Sequence, residues 1–340
     1  MYESFYRLTA KPFSLNPDPN FFYGSKGHKR AMSYLEYGLH QGEGFIVITG
    51  EVGAGKTTLV RNLFRKMDMT NLVAAQLVST QLDAEDTLRM VAASFGLEHE
   101  EAPKAVLLKR LEAFLLSCRD QGKRALLVVD EAQNLTPRAV EELRMLSNYQ
   151  AADRSLLQTF LLGQPEFRVT MQSAGMTQLR QRVIASYHLG PLDSDETQAY
   201  VKHRLHTVGW SDDPSFADEV FKEIFAFTGG IPRKINTLCD RLMLMGYIEE
   251  KHAFSAAEVK EVIADVQREM AYPENLDAPS GHALQPGKLL AEAQSIENET
   301  ALVKMNERVT DLERSVTTVL KLLREILSLS TVQRMRGDDH

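Results

Sequence analysis

Eight consecutive residues, Gly50-Glu51-Val52-Gly53-Ala54-Gly55-Lys56-Thr57, fit the pattern G-x-x-x-x-G-K-[ST] without a mismatch. The apolar run Phe45-Ile46-Val47-Ile48-Thr49 leads into them, and Thr58-Leu59-Val60-Arg61-Asn62-Leu63-Phe64 continues with helical spacing. Strand, phosphate loop and helix in that order commit this part of the chain to an α/β arrangement. A nucleoside triphosphate presents oxygens crowded with negative charge, and a loop free of Cβ atoms at its turns lets successive backbone N–H groups converge on them. Gly50, Gly53 and Gly55 supply that freedom; Glu51, Val52, Ala54 and Thr58 complete the expected contact set. Lys56 is expected to reach the β- and γ-phosphates, the helix start to add its positive dipole end, and the Thr57 hydroxyl to ligate Mg²⁺.

At 340 residues the chain exceeds one typical domain. Its 44% hydrophobic and 25% charged content are those of a soluble globular protein, and a net charge of -7 argues against a surface built for non-specific nucleic-acid binding. Cys118 and Cys239 sit in apolar helical patterns and read as buried reduced thiols. Neither a leader-like N-terminus nor an apolar run of membrane-spanning length is visible, so a cytoplasmic chain that meets the inner membrane through partners is expected.

Residues 1–44 are dense in aromatics and prolines and end in a helix near His28–Gln41. Two readings of this arm stand: it folds over the adenine base, or it is plain packing. After the phosphate-loop helix, Leu72–Val78 reads as a buried strand, with helices near Asp83–Phe95 and Lys104–Gln121. Ala125–Val129 then forms a buried strand that ends in Asp130-Glu131. Asp130 is expected to hold Mg²⁺ through its water shell and Glu131 to orient and activate the water that attacks the γ-phosphate. A helix from Pro137 to Tyr149 follows, then a strand Leu156–Leu162 closing on Gly163-Gln164-Pro165. Gln164 either touches the γ-phosphate or the attacking water from a strand tip, or is a turn residue before proline. Arg180 and Arg182 precede a short last strand, Tyr187–Leu189. They are solvated charges, or one of them completes a neighbouring subunit's site as an arginine finger.

Strands alternating with helices to about residue 190 imply a parallel sheet wrapped on both faces. From 191 to 270 only helices are expected, near Asp195–Thr207, Ser215–Phe227, Pro232–Ile248 and Ala256–Arg268, forming a small lid domain. The third starts at Gly229-Gly230-Ile231-Pro232-Arg233, which puts Arg233 at a helix start facing the nucleotide. The resulting division is 1–44 arm and helix of the core, 45–190 α/β domain, 191–270 lid, 271–288 linker and 289–335 amphipathic helix. Residues 271–288 are rich in proline and glycine and lack periodicity. Beyond them Leu302, Met305, Val309, Leu312, Val316, Val319, Leu323 and Ile326 alternate at three and four residues, reading as a coiled coil or as one amphipathic helix folded onto its own domain.

The order of Gly50–Thr57, Asp130-Glu131-Ala132-Gln133-Asn134-Leu135, Leu162–Glu166, Leu179–Arg182 and Gly229–Asn236 resembles the ExeA/GspA family of AAA+ ATPases. The opening Pro12-Phe13, Pro17-Asp18-Pro19 and Phe21–Ser25 agree. Tyr34–Leu39 and Gly42–Phe45 look most like the secretion ATPase encoded beside exosortase (PEP-CTERM) and exopolysaccharide loci. The resemblance implies ATP and Mg²⁺ as cofactors, Arg233 as a lid sensor, and assembly of several copies. Three functions follow as expectations: an ATPase serving envelope export through a partner bound by the C-terminal helix, a DNA-associated transposition helper, or a nucleotide-gated scaffold.

Overall fold

The computed structural model describes residues 1–67, 69–78, 83–151 and 154–270; the linker and amphipathic helix expected from the sequence lie outside them. Five strands, β1 (Phe45–Gly50), β2 (Leu72–Val78), β3 (Arg124–Asp130), β4 (Leu157–Gly163) and β5 (Val183–Leu189), form one parallel sheet in the order β2-β3-β4-β1-β5. Parallel strands need both faces covered, which is why β1 and β4 are mostly apolar and wholly buried, the polar Thr49, Gln158 and Thr159 included.

Side chains alternate between the two faces. Phe45, Val47, Leu127, Val129 and Leu161 point into one core, which also takes the apolar stripes of α3 (Ala84–Ser94), α4 (Lys104–Asp120) and α5 (Pro137–Leu146). Ile46, Ile48, Leu126, Val128 and Phe160 meet α1 (Lys26–Gln41) and α2 (Lys56–Lys66) on the other. The helix starts are set locally: Ser25 caps α1 on the His28 N–H, Asp83 caps α3, and Thr136 caps α5 ahead of Pro137. A further helix, α6 (Pro165–Gln172), leaves the tip of β4.

The last strand is longer than the expected Tyr187–Leu189. Val183 pairs with Phe45 and Ala185 with Ile46, but on this sheet edge the outward residues are exposed, so the apolar signal is broken by Ala185 and Ser186.

The lid consists of α7 (Ser194–Thr207), α8 (Asp218–Thr228), α9 (Pro232–Ile248) and α10 (Ala256–Met270) around Val201, Leu205, Ile224, Ile235, Leu242 and Val259. Two sequence expectations change here. Ser215–Phe216 is not the start of a helix but pairs in parallel with Ala253–Phe254, and α8 begins only at Asp218. Phe216 and Phe254 also meet, with ring centroids 5.4 Å apart, so the lid is not purely helical. The first residues of the arm belong to the lid and not to the α/β core. Tyr2, Tyr6, Leu8 and Phe13 are buried in the lid's apolar cluster, the Tyr2 hydroxyl donates to Asp240, and the Thr9 N–H donates to Val208 O at 2.9 Å. Cys118 and Cys239 are free and buried, and burial pushes both thiols up.

Candidate functional site

The C-terminal ends of β1, β3 and β4 converge at one edge of the sheet, and the site is built there. β1 ends at Gly50, and the loop turns through Gly53 at φ +81° and Gly55 at φ +98°, conformations that favour glycine. Gly55 has a second reason to lack a side chain: a Cβ there would stand 2.8 Å from His28 Nε2. His28 reaches from α1, with Nε2 3.1 Å from the Ala54 carbonyl and Nδ1 2.7 Å from Ser25 Oγ. A carbonyl only accepts, so Nε2 carries the proton and Nδ1 accepts from the serine hydroxyl. Burial holds the pKa of His28 below its ordinary value, so a neutral imidazole buttresses the loop.

Lys56, the first residue of α2, is buried and donates to the carbonyls of Gly50 at 2.7 Å and Glu51 at 3.1 Å. Burial lowers its pKa against the opposing pull of Glu131 and Asp130. The Thr57 hydroxyl donates to Asp130 Oδ2 at 2.7 Å, joining the phosphate loop to the tip of β3. Asp130 Oδ1 accepts the Glu131 N–H at 3.0 Å.

Glu131 departs from the strand at φ +55°, which turns its carboxylate across the sheet edge toward β4. Its Oε2 accepts from Gln133 Nε2 at 2.5 Å and from Gln164 Nε2 at 3.1 Å. Burial pushes this carboxyl up, but the two amides and the Lys56 charge more than offset that and leave it below the ordinary range. Gln164 therefore touches the acid pair from the end of β4, immediately before Pro165 of α6.

The lid closes the other side. The Arg233 N–H donates to Gly53 O at 3.2 Å, and its side chain lines a cleft of about 440 Å³ with Lys56, Thr57, Thr58, Val52 and Glu131. The far wall of that cleft is the arm, through Ser14, Phe21, Phe22 and Tyr23. Arg180 and Arg182 do not line it. Arg180 donates to Met171 O, Ser173 O and Thr177 Oγ1, and Arg182 to the carbonyl and hydroxyl of Ser147.

Several residues at this site were not singled out from the sequence. Arg204 on α7 is buried and donates to Pro12 O, Ser14 O and the Tyr200 hydroxyl, which itself donates to Asn236 Oδ1 at 2.9 Å. Its guanidinium also lies over Phe21, 4.8 Å from the ring centroid, so the lid grips the arm beside the cleft. Ser25 and His28 behind the loop, and Gln133 beside Glu131, are the others.

What distinguishes this site among phosphate-loop folds is the insertion of β4 between β1 and β3. It places a third strand tip, with Gln164, between loop and acid pair, while a separate lid sends α9 onto the loop. That is the arrangement of an AAA+ ATPase, and this chain is one.

Comparison narrows the class. A family model described as an AAA domain matches residues 39–171. General secretion pathway protein A of Aeromonas hydrophila is 37% identical over 253 residues, covering 74% of this chain and 46% of that protein, so the chain spans less than half the length of this curated relative. Among solved structures, the Orc2 protein of Aeropyrum pernix in its ADPNP-ADP complexes superposes with a TM-score of 0.57 at 16% identity, over 75% of this chain and 71% of that one. Cdc6p of Pyrobaculum aerophilum gives 0.58 at 15% identity, over 77% and 74%. At such identities the likeness concerns the fold alone. The chain belongs with the AAA+ ATPases of the ExeA/GspA type. Among the described residues no helix is long and apolar enough to cross a membrane.

Proposed function

We propose that this ATPase hydrolyses ATP with Mg²⁺ and that the cycle drives or switches an envelope export step, for exopolysaccharide or sorted protein. Hydrolysis rests above all on the placement of Glu131. Two amides hold Oε2, while Oε1 has no hydrogen-bond partner among the described residues and is available to a water. Small-molecule phosphotransferases generally need no such carboxylate, because their acceptor is not water.

The phosphates would lie on the loop N–H groups and the start of α2, where partial positive charge is already arranged. Lys56 would exchange its two carbonyl partners for phosphate oxygens, a stronger bond because both groups are charged. Thr57 and Asp130 are the residues that would hold Mg²⁺. Both offer hard oxygen donors, and because the carboxylate accepts the hydroxyl proton, the Thr57 lone pairs are left for a cation. When bound, Mg²⁺ would supply neutralisation of the phosphate charge. Glu131 orients the attacking water and accepts its proton through Oε1 as the oxygen–phosphorus bond forms and ADP departs with the bridging electron pair. Arg233 would contact the γ-phosphate. Because α9 is tied by its backbone to Gly53, loss of that phosphate would be felt by the lid.

The export role is supported by the similarity to general secretion pathway protein A. The chain would work at the cytoplasmic face as several copies, with the segment beyond residue 288 contacting a partner. Lys56→Ala should lose ATP binding, and Glu131→Gln should bind ATP without turning it over. In a host lacking the gene, wild type should restore the exported polymer or sorted protein and Glu131→Gln should not. Normal turnover by Glu131→Gln would remove it from the catalytic role. Stimulation of the ATPase rate by duplex DNA would move the reading to a transposition-helper type.

A further inference from the structure

The acid pair and the tip of β4 are joined by a side chain to which the mechanism above assigns no step of its own. Gln133 lies in the short 3-10 turn Ala132–Asn134 that follows Glu131. Its Nε2 donates to Glu131 Oε2 at 2.5 Å, and its Oε1 accepts the backbone N–H of Gln164 at 2.9 Å. The Gln164 side chain then closes the circuit by donating to the same Glu131 oxygen at 3.1 Å. The amide's orientation is fixed by its partners: a carboxylate can only accept and a backbone N–H can only donate.

We infer that Gln133 is a positioning residue, a two-ended amide that locks the Glu131 carboxylate to the backbone at the tip of β4 so that both move as one unit. This deepens the proposed hydrolytic role of Glu131 and rests on it.

The chemistry needs glutamine at this place. Leucine offers neither bond. Glutamate keeps the shape and the acceptor for Gln164, but it has no donor for Glu131 and sets a second negative charge against it. Lys56 is the alternative partner for the carboxylate, since its charge already acts on Glu131. The two amides hold Oε2 on the β4 side and keep Oε1 for water. Without Gln133 the carboxylate loses one of these holds and can turn toward the ammonium. Any displacement of the Gln164 backbone as the β4 tip meets a γ-phosphate also passes through Gln133 Oε1 to Glu131.

The test is steady-state ATPase kinetics on the full chain for Gln133→Leu, Gln133→Glu, Gln164→Leu and the Gln133→Leu/Gln164→Leu double variant. ATP binding is measured separately with a fluorescent nucleotide. Misplacing a reacting group by about an ångström costs roughly a hundredfold, so both Gln133 variants should lose about 10- to 100-fold in kcat while nucleotide affinity stays within about threefold. The double variant should be close to the worse single, because residues acting as a unit are not additive.

A role in packing alone would tolerate the isosteric glutamate, so wild-type kcat in Gln133→Glu would overturn the inference. Loss in the double variant equal to the product of the singles would overturn it as well. Glu131→Gln, run alongside, separates the two failures. If it hydrolyses normally, the role of Glu131 falls and Gln133 falls with it. If it is inactive while the Gln133 variants are normal, only the positioning role is lost.

Discussion

Arg233, the second residue of α9, sets its backbone N–H on the carbonyl of Gly53, and its Cβ occupies the space that a side chain on Gly53 would need. Lid and phosphate loop are thus in backbone contact, and Gly53 is required both for its φ of +81° and for this close approach. Gly53→Ala should strain the loop by about 1–3 kcal/mol and push α9 away. ATP affinity should fall about tenfold or more, since each 1.4 kcal/mol is a factor of ten. A nucleotide titration that gave wild-type affinity would show that the lid contact is not needed for binding.

Arg204 is buried without a carboxylate partner among the described residues, and its charge is met by the Pro12 and Ser14 carbonyls, the Tyr200 hydroxyl and the ring of Phe21. Replacing it by methionine keeps much of the apolar stem but leaves those oxygens short of a donor. Charge-assisted bonds and a desolvated cation–π contact together suggest a loss of about 3 kcal/mol. Chemical denaturation should show this, and ATP affinity should fall with it because residues of the arm line the cleft. Arg204→Lys should rescue little, since a single ammonium cannot span two carbonyls and stack on a ring.

His28 gives the fold a pH dependence with a definite sign. Its folded pKa lies below the unfolded value of about 6.5 because burial disfavours the imidazolium. The unfolded chain therefore binds the proton more readily, and the His28 contribution to stability is complete above about pH 6.5 and lost as the pH falls toward the lower folded pKa. Denaturation midpoints measured at about pH 7.5 and about pH 5.5 should drop for wild type. In His28→Phe the acid-side drop should be smaller, even if the variant is less stable throughout.

The phosphate loop, the acid pair and the central strands were legible because their chemistry dictates a local pattern. Backbone N–H groups must converge at Gly50–Thr57, and carboxylates must end a fully apolar strand at Asp130 and Glu131. What depended on distant pairing was not. Tyr2, Tyr6 and Phe13 are recognisable as anchors, but nothing in the arm says that their receptor lies around Asp240 and Lys251 of the lid. Arg204 did leave a signal, since it shares the buried stripe of α7 with Tyr200, Val201 and Leu205, and a charge on an apolar face demands partners. Gln133 left none. Its reach to Gln164 follows from the left-handed turn at Glu131, which no periodicity records. The Ser215–Phe216 pairing was hidden because two residues are too few to show alternation.

Arg180 and Arg182 stand just before β5 and do not line their own chain's cleft, so a direct contact of either with a bound phosphate would have to be made on a neighbouring copy. Arg180 is exposed and rests on the last carbonyls around α6, contacts that water can replace, whereas Arg182 braces Ser147 at the end of α5. Arg180→Ala should therefore leave stability within about 1 kcal/mol of wild type, and Arg182→Ala should cost more. If one of them is a finger acting in trans, its alanine variant should bind ATP normally but lose hydrolysis, by about a thousandfold or more where the assembly carries only that variant. Mixing with Lys56→Ala supplies intact fingers on subunits that cannot themselves bind ATP. With random assembly, half the sites keep a working phosphate loop and half of those meet a complete neighbour, so roughly a quarter of the wild-type rate should return. Recovery for one arginine and not the other identifies the finger, and no recovery for either would mean that neighbouring copies do not complete each other's sites through this pair.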